Sequence, residues 1–152
     1  MRTIILSSLV AVVIALSSGP VFSADKPAGD NIPVKAHRHF KKMFAGVSGE
    51  QWSVTSSGFM SAFAIDGAVS RVFYDNKGNW LFTIDCYDES KLPADTRAIL
   101  KSVYPDYSIL TVEEIQMPER IIYQVDITCN KNWKTVRIYD GDMELVNDFV
   151  NL

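Results

Sequence analysis

A chain of 152 residues, 47% hydrophobic and 22% charged, has the composition of an ordinary globular protein and lies far from that of a disordered one. Its 15 Lys and Arg against 18 Asp and Glu give a formal net charge of −3, which argues against nucleic acid as a partner. With only two cysteines, folding falls to a hydrophobic core rather than to a disulfide or metal framework, and a chain of this length can bury one.

The first residues place Arg2 before an apolar run from Ile4 to Leu16, then Gly19-Pro20, then the small residues Ser23 and Ala24. This order predicts a signal peptide over residues 1–23, with cleavage after Ser23 and no cysteine following to carry a lipid. The apolar run is shorter than the roughly 20 residues of a membrane span, and no later segment approaches that length, so no span is expected in the mature chain. Loss of Arg2 with the leader leaves 14 Lys and Arg against 18 Asp and Glu, a net charge of −4. The expected location is periplasmic or secreted.

Residues 24–33 are small, polar and rich in Gly and Pro, the composition of a linker. Pro33 then stands where a helix tolerates proline, in its first turn. In the helix predicted next, Phe40, Phe44 and Val47 share one face with Met43 beside them, while Lys35, Arg38, Lys41 and Lys42 fill the remainder. Gly46 and Gly49 end it. Trp52 and Val54 suit a short edge strand.

From Gly58 to Asp85 the chain reads as a three-strand meander. Asp66-Gly67 and Asp75-Asn76-Lys77-Gly78 supply residues that accept positive φ between runs rich in Phe, Val, Ile, Tyr and Trp. Alternation sorts Phe59, Phe63 and Ile65, then Val72 and Tyr74, then Trp80, Phe82, Ile84 and Cys86 to an inward face. Arg71, Phe73, Leu81, Thr83 and Asp85 fall on the other. Leu92-Pro93 opens a second helix, with Ile99, Leu100 and Val103 apolar, that closes at Tyr104-Pro105. Four further strands follow, separated by turns at Met117 to Arg120, Asn130 to Asn132 and Asp140 to Asp142. In the strand from Arg120 to Cys129, Tyr123, Val125, Ile127 and Cys129 share one face, and Gln124, Asp126 and Thr128 the other.

The order helix, then about four strands, therefore occurs twice, over halves of about 34–90 and 91–152, with Phe73-Tyr74-Asp75 matched to Ile138-Tyr139-Asp140. The fold class is α+β: a tandem repeat of helix plus about four antiparallel strands, each sheet half buried under its own helix.

The pattern Phe44, Trp52, Phe59-x-x-x-Phe63, Val72-Phe73-Tyr74-Asp75-x-x-Gly78-x-Trp80, Leu92-Pro93 and Tyr104-Pro105 resembles the PepSY-like, β-lactamase-inhibitor-protein-like periplasmic proteins common in Bacteroidetes. The likeness spans nearly the whole mature chain, residues 34–152 forming the PepSY-like domain. It implies a curved antiparallel sheet with helices on one side. Inhibitor relatives of that architecture grip another protein with the helix-free face. The motifs are structural and none is catalytic, so the resemblance speaks to fold before function.

Chemistry-bearing residues are few. Cys86 and Cys129 allow a disulfide in an oxidising compartment, or serve as small apolar strand residues. His37 and His39 stand two apart on a helix, point to different sides and have no clear third ligand, so they are read as solvated helix residues rather than a metal site. Asp140, Asp142 and Glu144 alternate as a hairpin does, without a twelve-residue calcium loop. Asp85, Asp88, Glu89, Glu113 and Glu114 offer carboxylates but no histidine base beside them, and no phosphate loop or nucleophile elbow occurs; the chain is expected not to be an enzyme and to need no cofactor.

The expected binding surface is the helix-free face, formed by Arg71, Phe73, Leu81, Thr83, Gln124, Asp126, Trp133, Arg137 and Tyr139. Aromatics and Arg combine large contact area with a polar handle, the composition of interface hot spots. The same residues also serve as cross-strand pairs that stiffen an exposed sheet. The expected partner is an unidentified protein or peptide of the cell envelope. The alternative is a small molecule or envelope component held between helix and sheet or between the halves.

Overall fold

A computed structural model describes residues 27–150; the leader expected over residues 1–23 lies outside the described residues. Eight strands follow one another in a single antiparallel sheet in the order of the sequence. Helix α1, Val34–Met43, precedes β1 (Gln51–Thr55), β2 (Gly58–Ile65), β3 (Ala68–Asp75) and β4 (Trp80–Tyr87). Helix α2, Ala94–Val103, precedes β5 (Ser108–Gln116), β6 (Ile121–Cys129), β7 (Asn132–Tyr139) and β8 (Asp142–Val150). The expected α+β tandem repeat is thus what the chain forms, and its halves meet where β4 pairs with β5. Among the described residues no helix is long and apolar enough to cross a membrane.

The repeat extends to the ends of the helices. Pro33 and Pro93 stand just before them, and each follows a short 3-10 turn, Gly29–Asn31 and Glu89–Lys91. At the other end Phe44 and Tyr104 leave helical geometry at nearly the same angles, φ −120° and −122°, and each N–H still donates to the carbonyl four residues back.

Both helices lie on the same side of the sheet. Ala36 and Phe40 of α1, one helical turn apart, are fully buried against Phe63, Val72 and Tyr74, with Trp52, Phe59 and Trp80 at the margin. Leu100 of α2 packs with Val112, Val125, Ile127, Val136 and Ile138, and this second cluster also takes Ala68 and Tyr87. Ala68, Val72 and Tyr74 share one face of β3, because residues two apart on a strand point the same way, and so tie the clusters to one side. The β3–β4 turn seats against the start of α1. Gly78 has φ +78°, and a Cβ there would lie 2.9 Å from both Ala36 N and Pro33 Cβ, so a side chain would push the helix off the turn.

Two expectations fail for one reason, a shift of strand phase. Phe73 pairs with Phe82 but Tyr74 pairs with Trp80, so β4 carries an extra residue at this point, Leu81. Beyond this bulge Thr83, Asp85 and Tyr87 turn toward the helices, and Phe82, Ile84 and Cys86 turn away, the reverse of simple alternation. In the repeat, Val72 and Tyr74 face the helices as Val136 and Ile138 do, so Tyr74 matches Ile138. Matching it to Tyr139, as the sequence suggested, slips the copies by one residue and sets an inward side chain against an outward one.

Residues 27 to 32 are fastened to the sheet edge. Pro27 forms a bridge with Ser53, and Ala28, 3% exposed, donates its N–H to the Trp52 carbonyl at 3.1 Å.

Candidate functional site

On the helix-free face the register brings charged and amide side chains of four strands into a row. Arg71 Nη2 lies 3.4 Å from Glu113 Oε1; Gln124 Nε2 donates to Glu113 Oε2 at 3.0 Å; Arg137 Nη2 donates to Gln124 Oε1 at 3.0 Å. Arg71 stands on β3 and Glu113 on β5, so its side chain crosses β4, a span of about 10 Å between the flanking strands. Beside the row, Thr135 Oγ1 donates to Asp126 Oδ1 at 2.7 Å, and Glu144 stands opposite Arg137 on β8. Burial, ahead of the Asp126 charge, pushes the Glu113 carboxyl above the usual carboxylate range, while Arg71 and the Gln124 hydrogen bond pull it back.

Aromatic pairs flank this row at two corners. Phe73 and Phe82 stack with ring centroids 4.5 Å apart. Diagonally opposite, Trp133 and Phe149 are cross-strand partners, 51% and 61% exposed. Four strand spacings, about 19 Å, separate these corners.

The residues expected on this face are therefore placed as follows. Arg71, Phe73, Gln124, Asp126, Trp133, Arg137 and Tyr139 project from it. They do not form one continuous patch, since Phe73, Trp133 and Tyr139 stand apart and Phe73 and Tyr139 are half-buried. Thr83 is displaced: it is buried on the helix side and accepts a hydrogen bond from Trp80 Nε1 at 3.0 Å. Leu81 is the extra residue of the bulge and half-buried. Phe82, Glu113, Glu144 and Phe149 belong to the face and were not singled out for it. The sequence held one signal, adjacent Glu113 and Glu114 within a strand, which must point to opposite faces.

Glu114 points to the helix side, where the halves meet and neither helix covers the sheet. Asp85 and Glu114 are cross-strand partners there, and Gln116 Nε2 donates to Asp85 Oδ2 at 3.2 Å and to Glu114 Oε1 at 3.0 Å. Ser70 Oγ donates to Asp85 at 2.5 Å and Tyr87 Oη to Glu114 at 2.5 Å. These groups line an open cleft of about 300 Å³ with Phe44, Ile65 and Lys91 at its rim. Burial raises the Asp85 carboxyl and, together with Glu114, the Tyr87 hydroxyl.

The histidines are not solvated as expected. His37 packs on Trp52 with centroids 4.9 Å apart; His39 stacks on Trp80 at 5.8 Å and its Nδ1 lies 3.1 Å from Tyr74 Oη. They straddle Phe40 and fill the edges of the first core, and burial, aided by Lys42, lowers the His39 pKa. Cys86 and Cys129 are free thiols. Cys86 aligns through Glu113 with Gln124, so Cys129 lies five residues further along β6, about 17 Å, and on the opposite face. A disulfide needs Cα atoms within about 7 Å. Among the described residues no group of three or more His, Cys, Asp or Glu is placed to hold a metal ion.

An open eight-stranded antiparallel sheet made by duplicating a helix and four strands, with both helices on one side, defines a recognised architecture. Solved structures similar to it include a DUF2874 family protein from Bacteroides uniformis, 17% identical, with 78% of this chain and 88% of that one covered at a TM-score of 0.62. A candidate periplasmic protein from Bacteroides eggerthii matches at 18% identity, with 78% and 88% covered and a TM-score of 0.62. A BLIP-like protein from Bacteroides fragilis matches at 18% identity, with 78% and 86% covered and a TM-score of 0.61. At these identities the likeness is one of fold. No protein-family model and no curated protein matches the chain.

Proposed function

We propose that this chain is an exported, non-enzymatic binding module of the cell envelope that engages a protein or peptide partner through the helix-free sheet face. The observation that carries this reading is the Trp133–Phe149 pair, two large aromatics more than half exposed on the uncovered side of a sheet whose other side is a packed core. Exposed aromatics next to an internally paired Arg and Glu row combine apolar anchors with fixed polar complementarity. The BLIP-like name of one similar structure, and the candidate periplasmic assignment of another, agree with a binding role in that compartment. A non-enzymatic role is favoured because the half-buried carboxylates Asp85, Glu113 and Glu114 have no histidine beside them, both histidines being packed against Trp52 and Trp80.

A second reading is favoured by the cleft between the halves, whose Asp85, Glu114, Gln116 and Lys91 suit a small polar ligand of the envelope. One experiment separates the two. Partners are captured from periplasmic extract with the wild-type chain, with Arg71→Ala/Trp133→Ala/Tyr139→Ala, and with Asp85→Asn/Lys91→Ala. The sheet-face reading expects loss of partner with the first variant and retention with the second. Equal recovery by all three chains defeats it, and loss with the second alone favours the cleft.

A further inference from the structure

The two copies of the repeat differ sharply at one place, the outward side of their helices. Aligned from Pro33 and Pro93, Lys35 corresponds to Asp95, Arg38 to Ala98 and Lys42 to Ser102, while Lys41 corresponds to Lys101. The second copy shows that this fold is satisfied by a nearly neutral outward helix surface. The first carries four cations and no acid in ten residues, in a chain whose acids outnumber its bases. At about 100° per residue, Lys41, Val34, Arg38, Lys42 and Lys35 follow one another around a single exposed arc opposite Ala36 and Phe40. The helix is about 15 Å long, so the charges lie within two Debye lengths of one another at physiological salt.

Little within the molecule answers this charge. Lys41 is paired with Glu50 at 2.9 Å, and Lys35 hydrogen-bonds Asn79, with Asp75 near it. Arg38 and Lys42 have no acidic partner among the described residues, and Lys77, exposed in the turn packed against the start of α1, adds a further cation. One apolar side chain belongs to this arc: Val34, 71% exposed, stands between Lys41 and Arg38. A cation cluster alone suits any polyanion. Cations set around an exposed apolar side chain on one helix suit a bilayer surface, where headgroups meet the cations while the acyl boundary takes the apolar tip and the lysine stems.

The geometry points to α1 as a docking surface for an anionic lipid membrane. The helix lies on the bilayer plane rather than across it, held by Lys35, Arg38, Lys41 and Lys42 and tipped in by Val34. Because α1 lies on the sheet side opposite Trp133 and Phe149, a docked molecule presents its helix-free face away from the lipid. The inference depends on export to a compartment bounded by anionic lipid and is independent of what the sheet face binds.

The test is vesicle co-sedimentation of the exported, leader-free chain with phosphatidylcholine vesicles containing about 30 mol% phosphatidylglycerol and with pure phosphatidylcholine. Binding is expected to the anionic vesicles alone and to fall steeply between about 50 and about 300 mM salt. Writing the second copy's residues into the first, Lys35→Asp/Arg38→Ala/Lys42→Ser, is expected to weaken that binding on the order of 100-fold at low salt, with an unchanged circular dichroism spectrum. Val34→Ser is expected to weaken vesicle binding while leaving retention on heparin unaltered. Equal binding to both vesicle types, indifference to the triple substitution, or retention by heparin or DNA without binding to anionic vesicles would each overturn the inference.

Discussion

Asp85 and Glu114 face each other across the β4–β5 seam, and one amide, that of Gln116, donates to both. The two halves of the molecule are thus joined through a pair of like charges, of which Asp85 bears the clearer penalty. Burial raises its carboxyl above the usual range, the Ser70 hydrogen bond opposes this, and the Glu114 charge adds to it. A carboxyl whose pKa is raised on folding holds its proton more tightly in the folded chain. Its contribution to stability is present below the unfolded value, about pH 4, and is lost as pH rises through the folded one. Asp85→Asn is therefore expected to gain thermal stability relative to wild type as pH rises from about 4 to about 8. Parallel melting curves at all pH values would show that the seam carries no such penalty.

Phe40 is fully buried and meets Trp52 and Phe63 edge to face at 5.6 and 5.4 Å. Phe40→Ala is expected to cost about 3–5 kcal/mol, and Leu100→Ala, its counterpart in the second copy, about 2–5 kcal/mol. Since β4 and β5 make the copies one sheet, urea should unfold both variants in a single transition by fluorescence and circular dichroism. Two separated transitions would mean that the halves unfold independently.

Arg71 crosses β4 to reach Glu113, whose carboxyl is already raised by burial. Arg71→Ala removes the cation that pulls it down, so the Glu113 titration followed by NMR should move to higher pH. The 3.4 Å contact is long, and the loss in stability is expected to be about 1–2 kcal/mol. Glu113→Gln in the same chain should recover part of it, because the amide leaves no charge to neutralise.

Cys86 and Cys129 should both react with a thiol reagent in the unfolded exported chain, and its electrophoretic mobility should not change on reduction. In the native chain Cys86 should alkylate slowly at pH 8, since burial and the Glu113 charge raise its pKa. Recovery of fewer than two thiols per chain would contradict the register that places them apart.

Much of this architecture was legible because its signals are local. Asp66-Gly67 marks a hairpin by supplying φ of +48° and +74°, and Pro33 and Pro93 mark helix starts. What was not legible is where a periodic pattern slips. Trp80-Leu81-Phe82 places three bulky apolar residues in succession, which alternation cannot sort. The bulge there reverses the faces of the next six residues, sending Thr83 inward and Phe82 outward. The same limit hides a shift of one residue between the copies. Of the proposed binding face, Arg71, Gln124, Trp133 and Arg137 were readable from alternation. Their linkage through Glu113 was not, since it depends on which strands become neighbours across the seam. The aromatic setting of His37 and His39 was also invisible, because Trp52 and Trp80 reach them from separate strands.

Pro27 and Ala28 pair with the outer edge of β1 at Ser53 and Trp52, so the middle of that rim is covered. At the other rim, β8 meets no further strand among the described residues, and its free backbone groups could template another chain. Asp142, Glu144 and Asp148 stud that strand, which contains no cation; Asp148 is paired with Lys134 of β7 at 2.6 Å, so Asp142 and Glu144 repel a like strand brought against them. Protection against runaway stacking is electrostatic on one rim and steric on the other. Neutralising Asp142 and Glu144 is where a tendency toward fibrous self-assembly would first emerge.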